Sequence, residues 1–362
     1  MPRALRHPAQ ARQRGAALLL ALLTVALVAT LASAALWRHW RNVEVETSDR
    51  SRMQAGWVLS GALDWARLIL REDARAGGPD HLGEPWSVPL QESRLSTFLA
   101  IDPSQADGSD AVFLSGQITD AQARLNLRNL VQDGKVSEPD QQALARLFEL
   151  LGLEPAEAET LGANLLLALG PAAGVPATAA SDAAAEPAAS GDRPVPLVPR
   201  RQDQLAWLGL SEATAQALAA HVTILPLRTP LNVNTAGAEV LSASIPGLDL
   251  TDAQAIVSAR QRAPFRALSA LAPLLPPDSG ALAPARFSVG TRFFEVRGRL
   301  RMEDLLVEEH SLVLRNGMEV TILWRERARP EQAAGAQVGP AAAGVGLAAS
   351  DASGGPVRTM PP

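Results

Sequence analysis

The 362-residue chain has no cysteine and a single lysine, Lys135, and only 4% of its residues are aromatic. Without thiols there can be no disulfide and no thiolate metal site, and the redox compartment is left open. Five scattered histidines give no paired metal-ligand spacing. Neither G-x-S-x-G, H-E-x-x-H nor a phosphate-binding loop occurs, so the residues point away from an enzyme. Acidic residues are missing from the first fifteen positions, which hold Arg3, Arg6, Arg12 and Arg14; losing those four arginines would take the formal charge from −5 to −9. So acidic a chain is a poor match for nucleic acid, whose binding depends on neutralising phosphates.

Instead of aromatics the chain has alanine and leucine, and 47% of it is hydrophobic, a composition suited to small-volume helix packing. The longest apolar run, Ala16 to Trp37, holds neither charge nor proline. As a helix it would be about 33 Å long, enough for a hydrocarbon core of roughly 30 Å. The arginine-only leader predicts a cytoplasmic N-terminus, with everything beyond residue 40 on the far side of the membrane.

Three readings of this run compete. It can be a plain single-pass anchor, or a secretory signal cut after the small residues Ala32-Ser33-Ala34. The third reading starts from Gly15, at the boundary between the polar leader and the apolar run. No proline interrupts the chain between Ala16 and Arg75, and Val58, Ala62, Trp65, Ile69 with Leu59, Leu63, Ala66, Leu70 keep helical spacing. One continuous rod is expected, with Gly56 and Gly61 as places to bend.

A glycine-ended basic leader before an apolar helix that turns amphipathic resembles the N-terminus of type IV pilins and pseudopilins. The resemblance implies cleavage by a prepilin peptidase between Gly15 and Ala16 and N-methylation of Ala16. Most members of that family carry a glutamate at the fifth mature position, where this chain has Leu20. In this it resembles the K-type minor pseudopilins of type II secretion systems, thought to sit at the filament tip, where a carboxylate reaching for the subunit above would have no partner.

Further along, residues 77–110 are rich in glycine and proline, and a loop with one short helix around 91–100 is expected. Asp102, Asp107 and Asp110 lie there without calcium-loop spacing. Residues 111–130 read as two strands and a turn, with Asn126 and Asn129 capping or bridging turns. A helical stretch is expected from Glu138 to about Leu169 on a Leu144, Leu147, Phe148, Leu151 face. A low-complexity linker over 170–199 and helical patterns at 202–208 and 212–221 come next.

Residues 231–271 have helix-hairpin-helix character: a helix from about Ala236, a Pro246–Gly247 turn, and a second helix from Thr251 to Arg262. DNA-binding hairpins bring glycine-rich backbone to phosphate at a helix N-terminus, whereas this turn continues with Asp249. Arg260, Arg262 and Arg266 are the basic residues nearby, and structural packing is preferred to DNA contact. From residue 291 to 326 three strands are expected, joined in part by an Asn316–Gly317 type I′ turn, with Met318, Val320, Ile322 and Trp324 on one face.

The order of these features resembles the K-type pseudopilins over roughly 12–326. It implies an α+β fold, a pilin-like long helix on an antiparallel sheet with a large helical insertion. The divisions expected are leader 1–15, span 16–37, pilin-like part 38–130, insertion 131–285, closing meander 286–328 and tail 329–362. Calcium binding is a property of the family's insertion; the corresponding region here offers Asp182, Glu186 and Asp192. Implied partners are the I- and J-type minor pseudopilins, the inner-membrane platform, the prepilin peptidase and membrane lipid, with no nucleic acid. The implied location is the inner membrane with the bulk periplasmic. A membrane-anchored periplasmic DNA receptor using the hairpin is the alternative.

Overall fold

In this computed structural model the described residues are 11–98, 112–170, 195–280, 282–302 and 305–327. The acidic loop at Asp102, Asp107 and Asp110, most of the linker with Asp182, Glu186 and Asp192, and the tail lie outside them.

The uninterrupted helical pattern becomes a single helix, α1 (Ala11–Ala76), of 66 residues. At 1.5 Å per residue it is about 99 Å long. Gly77 and Gly78, at φ +67° and +122°, end it in conformations that side-chain-bearing residues rarely adopt. Residues 16–50 of α1 are exposed on all sides. Burial begins at Ala55 and follows Leu59, Leu63, Ala66 and Leu70, the i, i+3, i+4 stripe of a helix lying on a sheet. Each fully buried leucine there contributes roughly 1.5–3 kcal/mol.

Beneath that stripe is a five-stranded antiparallel sheet in the order β1 (Leu90–Arg94), β2 (Val112–Asp120), β9 (Phe293–Met302), β10 (Leu305–Asn316), β11 (Glu319–Arg327). Leu114, Ile118, Phe294, Val296, Leu300, Val313 and Val320 meet α1. Gly116 pairs with Gly298, and a Cβ on Gly298 would lie 3.1 Å from Leu59 Cδ2, so the bare backbone lets α1 settle close to the sheet. Trp86 seals the cluster edge-on against Phe294, with ring centroids 5.2 Å apart.

Between β2 and β9 the chain builds a helical body. Its elements are β3 (Leu125–Asn126), β4 (Val131–Gln132), β5 (Lys135–Val136), α3 (Glu138–Leu150), α4 (Pro155–Leu169), α5 (Glu212–Leu218), β6 (Val222–Thr223), β7 (Leu231–Asn232), α6 (Ala238–Ser244), α7 (Leu250–Arg262) and β8 (Phe287–Ser288). It has its own core, which includes Leu127, Leu144, Phe148, Leu161, Leu205, Leu241 and Ile256.

Several expectations are corrected. Residues 90–94 form a strand paired to β2, and the helix after it, α2, is the single turn Leu95–Phe98. Beyond β2 the predicted second strand is cut down to the two residues of β3 between 3₁₀ turns, because Asp120 and Asn126 accept backbone N–H groups two residues on and curl the chain. The predicted helix from Glu138 to Leu169 is two helices, broken by Gly152 at φ +66° and restarted at Pro155. Residues 202–208 are a 3₁₀ helix.

In the closing meander the turn is Gly317–Met318, since Asn316 pairs with Glu319 and only Gly317, at φ +58°, has positive φ. That is the type II′ pattern rather than type I′. The predicted common face of β11 is also split. Val313 pairs with Ile322 and Leu312 with Trp324, so Leu323 is bulged out of register. Val320 stays under α1, while Trp324 turns to the opposite face with Leu312 and Phe293, against Ala121 and Leu225 of the helical body. Met318 sits exposed in the turn.

Candidate functional site

Two places stand out, the bare rod and the joint that fixes the helical body to the rest. The rod's large apolar side chains from Leu18 to Trp37 are each more than half exposed, Leu36 by 76%. The hydroxyls of Thr24 and Thr30 donate to the carbonyls of Ala21 and Leu27 at 2.8 and 2.9 Å, so neither needs water. Arg41 lies 4.2 Å from the Trp37 ring centre, an aromatic–cation pair at the end of the apolar run. Past it Met53, Trp57 and Leu68 remain exposed on the side away from the sheet, Trp57 by 79%. Such a surface is stable only in lipid or against other apolar helices. By length and composition the helix can cross a membrane. Position 20, expected to lack a carboxylate, is an exposed leucine, and Gly15 and Ala16 lie within α1.

The joint is built from the Asn232-Val233-Asn234-Thr235 stretch. Asn232 Nδ2 donates to the Asp80 carbonyl at 3.1 Å and to Asp120 Oδ2 at 2.9 Å, and Thr235 Oγ1 donates to the same oxygen at 2.6 Å. Gln122 N donates to Asp120 Oδ1 at 2.7 Å. Burial pushes the Asp120 carboxyl up from its ordinary range, and these hydrogen bonds oppose that. On the other side Asn234 bonds both the N–H and the carbonyl of Phe265 at 2.9 Å, tying the hairpin down. Asn126 and Asn129 bridge turns as expected: Asn126 Nδ2 donates to the Leu227 carbonyl at 2.8 Å, and Asn129 exchanges two bonds with the Thr229 backbone. Of the two carboxylates at the centre of the joint, Asp120 ends β2 and Asp80 lies in the loop after α1, where an acid looks like any solvated residue.

The hairpin itself is present, with Gly247 at φ +75° after Pro246. The nucleic-acid alternative finds no support in its geometry. Arg260 is buried and donates to the Val233 carbonyl at 2.7 Å, and Asp249 Oδ1 caps α7 by accepting from Asp252 N at 2.7 Å, where a phosphate would sit. Arg262 and Arg266 are exposed.

Among the described residues, Asp73, Asp80 and Glu84 bring carboxylate oxygens within 4.8 Å of one another, an arrangement able to hold a cation. The guanidinium of Arg315 already pairs with Asp73 and Asp80.

Comparison with known proteins gives this geometry a context. The family described as type II secretion system (T2SS), protein K, matches residues 123–227 with its first region and 231–290 with a second. The type II secretion system protein K of Pseudomonas aeruginosa is 29% identical over 307 residues, spanning 81% of this chain and 86% of that protein. Its counterpart in Pectobacterium carotovorum is 28% identical over 345 residues, 88% of this chain and 97% of that one. That of Klebsiella pneumoniae is 36% identical over 160 residues, 42% and 44% of the two chains. One chain of the crystal structure of the GspK-GspI-GspJ complex from the enterotoxigenic Escherichia coli Type 2 Secretion System shares the fold, with TM-score 0.55 and 18% identity, over 78% of this chain and 98% of that one. A helical body spliced into a pilin-like α+β frame thus has its counterpart in known proteins, and this chain is similar to the type II secretion system protein K family.

Proposed function

We propose that the chain is a minor pseudopilin at the tip of the type II secretion pseudopilus, taking part in protein export across the outer membrane. The observation that carries this reading is α1: one unbroken helix, bare and apolar for its first half and seated on a sheet in its second. Such a rod can trade lipid neighbours for sister rods without refolding. Its work is assembly rather than catalysis.

In this reading the leader ends at Gly15, a prepilin peptidase cuts the Gly15–Ala16 bond, and Ala16 is N-methylated. The span at 16–37 holds the chain in the inner membrane, N-terminus in the cytoplasm and bulk in the periplasm, until the platform extracts it. The I- and J-type minor pseudopilins are the neighbours, as supported by the likeness to a chain from a GspK-GspI-GspJ complex. The helical body, about 131–285, makes the subunit too wide for another to follow above it, hence a cap. Leu20 fits that place, since a tip subunit has no neighbour above to receive a carboxylate.

N-terminal sequencing of the natural product tests the reading. A methylated Ala16 is expected, with Gly15→Ala blocking maturation. A start at Ala35 would make the chain a simply exported protein, and an intact Met1 a plain anchored one.

A further inference from the structure

The apolar run of α1 closes on two tryptophans and two arginines. Trp37 and Trp40 are 55% and 64% exposed, and Arg38 and Arg41 stand beside them. At i, i+1, i+3 and i+4 the four residues fall on one side of the helix. The Arg41 guanidinium lies 4.2 Å from the Trp37 ring centre, so charge and ring are presented together. Among the described residues neither arginine has an ion pair, not even with Glu44, the nearest acid. The acids further up have partners of their own, Glu46 with Arg50 at 3.9 Å and Asp49 with Arg52 at 3.8 Å.

Arg38 and Arg41 work against the orientation that the leader sets, because positive charge favours the cytoplasmic side of a span. They are not a topology signal, and their charge calls for an anion on the far side. An indole beside a guanidinium suits the headgroup layer of a bilayer: the ring rests among glycerol and acyl carbons while the arginine stem carries its charge to the phosphates. A sister helix is the other neighbour to weigh. Trp37 and Ala55, and likewise Arg41 and Leu59, are about five turns apart at 3.6 residues a turn. The side that bears the pair is therefore the side that the sheet covers higher up. A second rod running alongside there would meet the sheet, whereas lipid ends below it.

We propose that Trp37, Arg38, Trp40 and Arg41 form a headgroup site for anionic phospholipid, in the leaflet on the side of the folded body, and that this site holds the rod at a fixed depth. The ligand chemistry is a phosphodiester of net negative charge, met by two guanidiniums, with the indoles seated between phosphate and acyl chain. The site rests on the reading of residues 16–37 as a membrane span.

Tryptophan fluorescence of the full chain in phosphatidylcholine vesicles tests it, with brominated phosphatidylglycerol or brominated phosphatidylcholine added at the same mole fraction as quencher. Of the seven tryptophans only Trp37 and Trp40 adjoin the span. Trp57 lies about 26 Å further along the helix. Replacing both by phenylalanine should therefore abolish the quenching. In the wild type the brominated phosphatidylglycerol should quench more strongly, with a relative affinity of about fivefold for each arginine engaged, and the preference should shrink with added salt. Arg38→Gln with Arg41→Gln should bring the ratio close to one and leave quenching by brominated phosphatidylcholine as in the wild type. Equal quenching by the two lipids, or a preference that survives the double substitution, would overturn the headgroup site and leave the span standing. So would inorganic phosphate removing the preference where chloride at the same ionic strength does not, since the arginines would then take a free oxyanion. No quenching by either lipid would overturn the site together with the span itself.

Discussion

A carboxylate shut away from water has to find its donors inside the protein, and Asp120 finds three, from Gln122, Asn232 and Thr235. Two of them come from a segment more than a hundred residues away, so this side chain is where the frame and the helical body are joined. Asp120→Ala would leave the Asn232 and Thr235 donors buried and unpaired, at a cost of about 3 kcal/mol or more. Thermal unfolding of the variant should show it, and a midpoint equal to wild type would mean that water replaces the carboxylate at no cost. Half of this arrangement was legible. Asn126 caps the turn at Arg128 as its type predicts, and Asn129 bridges to the Thr229 backbone. The acids were not legible, because nothing local to Asp80 or Asp120 tells that distant donors will fold onto them.

At the scale of elements, the change of period placed three strands within 291–326, where β9, β10 and β11 lie, while the bulge at Leu323 left no trace in the pattern. Met318, Val320, Ile322 and Trp324 alternate without fault, yet one extra residue sends Trp324 to the helical body. The count of backbone units therefore matters there more than the side chain. Leu323→Ala, at a position 40% exposed, should change stability by about 0.5 kcal/mol or less. Inserting an alanine after Leu323 would move Trp324 off its partner Leu312 and empty its place there, at about 3 kcal/mol or more. Urea unfolding of the two variants separates these effects, and equal midpoints would show that the sheet absorbs the slip. A missed signal lay elsewhere: Asp133–Gly134, at φ +51° and +70°, forms the type I′ turn that the sequence reading assigned to Asn316–Gly317.

At the scale of the whole molecule the rod divides by what surrounds it. Its first half, exposed from residue 16 to 50, adds nothing to the folded body, whose contacts with α1 start at Ala55. Close approach governs the second half. Arg325 and Arg327 pair with the buried Glu309, Arg325 reaches the Ser60 hydroxyl at 2.6 Å, and the Arg327 guanidinium lies where a side chain on Gly56 would be. The helix is thus clamped by the far edge of the sheet as well as by its apolar stripe, and a long free segment upstream is not needed to hold it. Removal of residues 1–40 should therefore give a protein that is folded without detergent, with near-UV circular dichroism and thermal midpoint matching those of the full chain in micelles. A truncated protein that keeps helix but loses its near-UV signal would show instead that the apolar half of the rod helps to order the sheet beneath the other half.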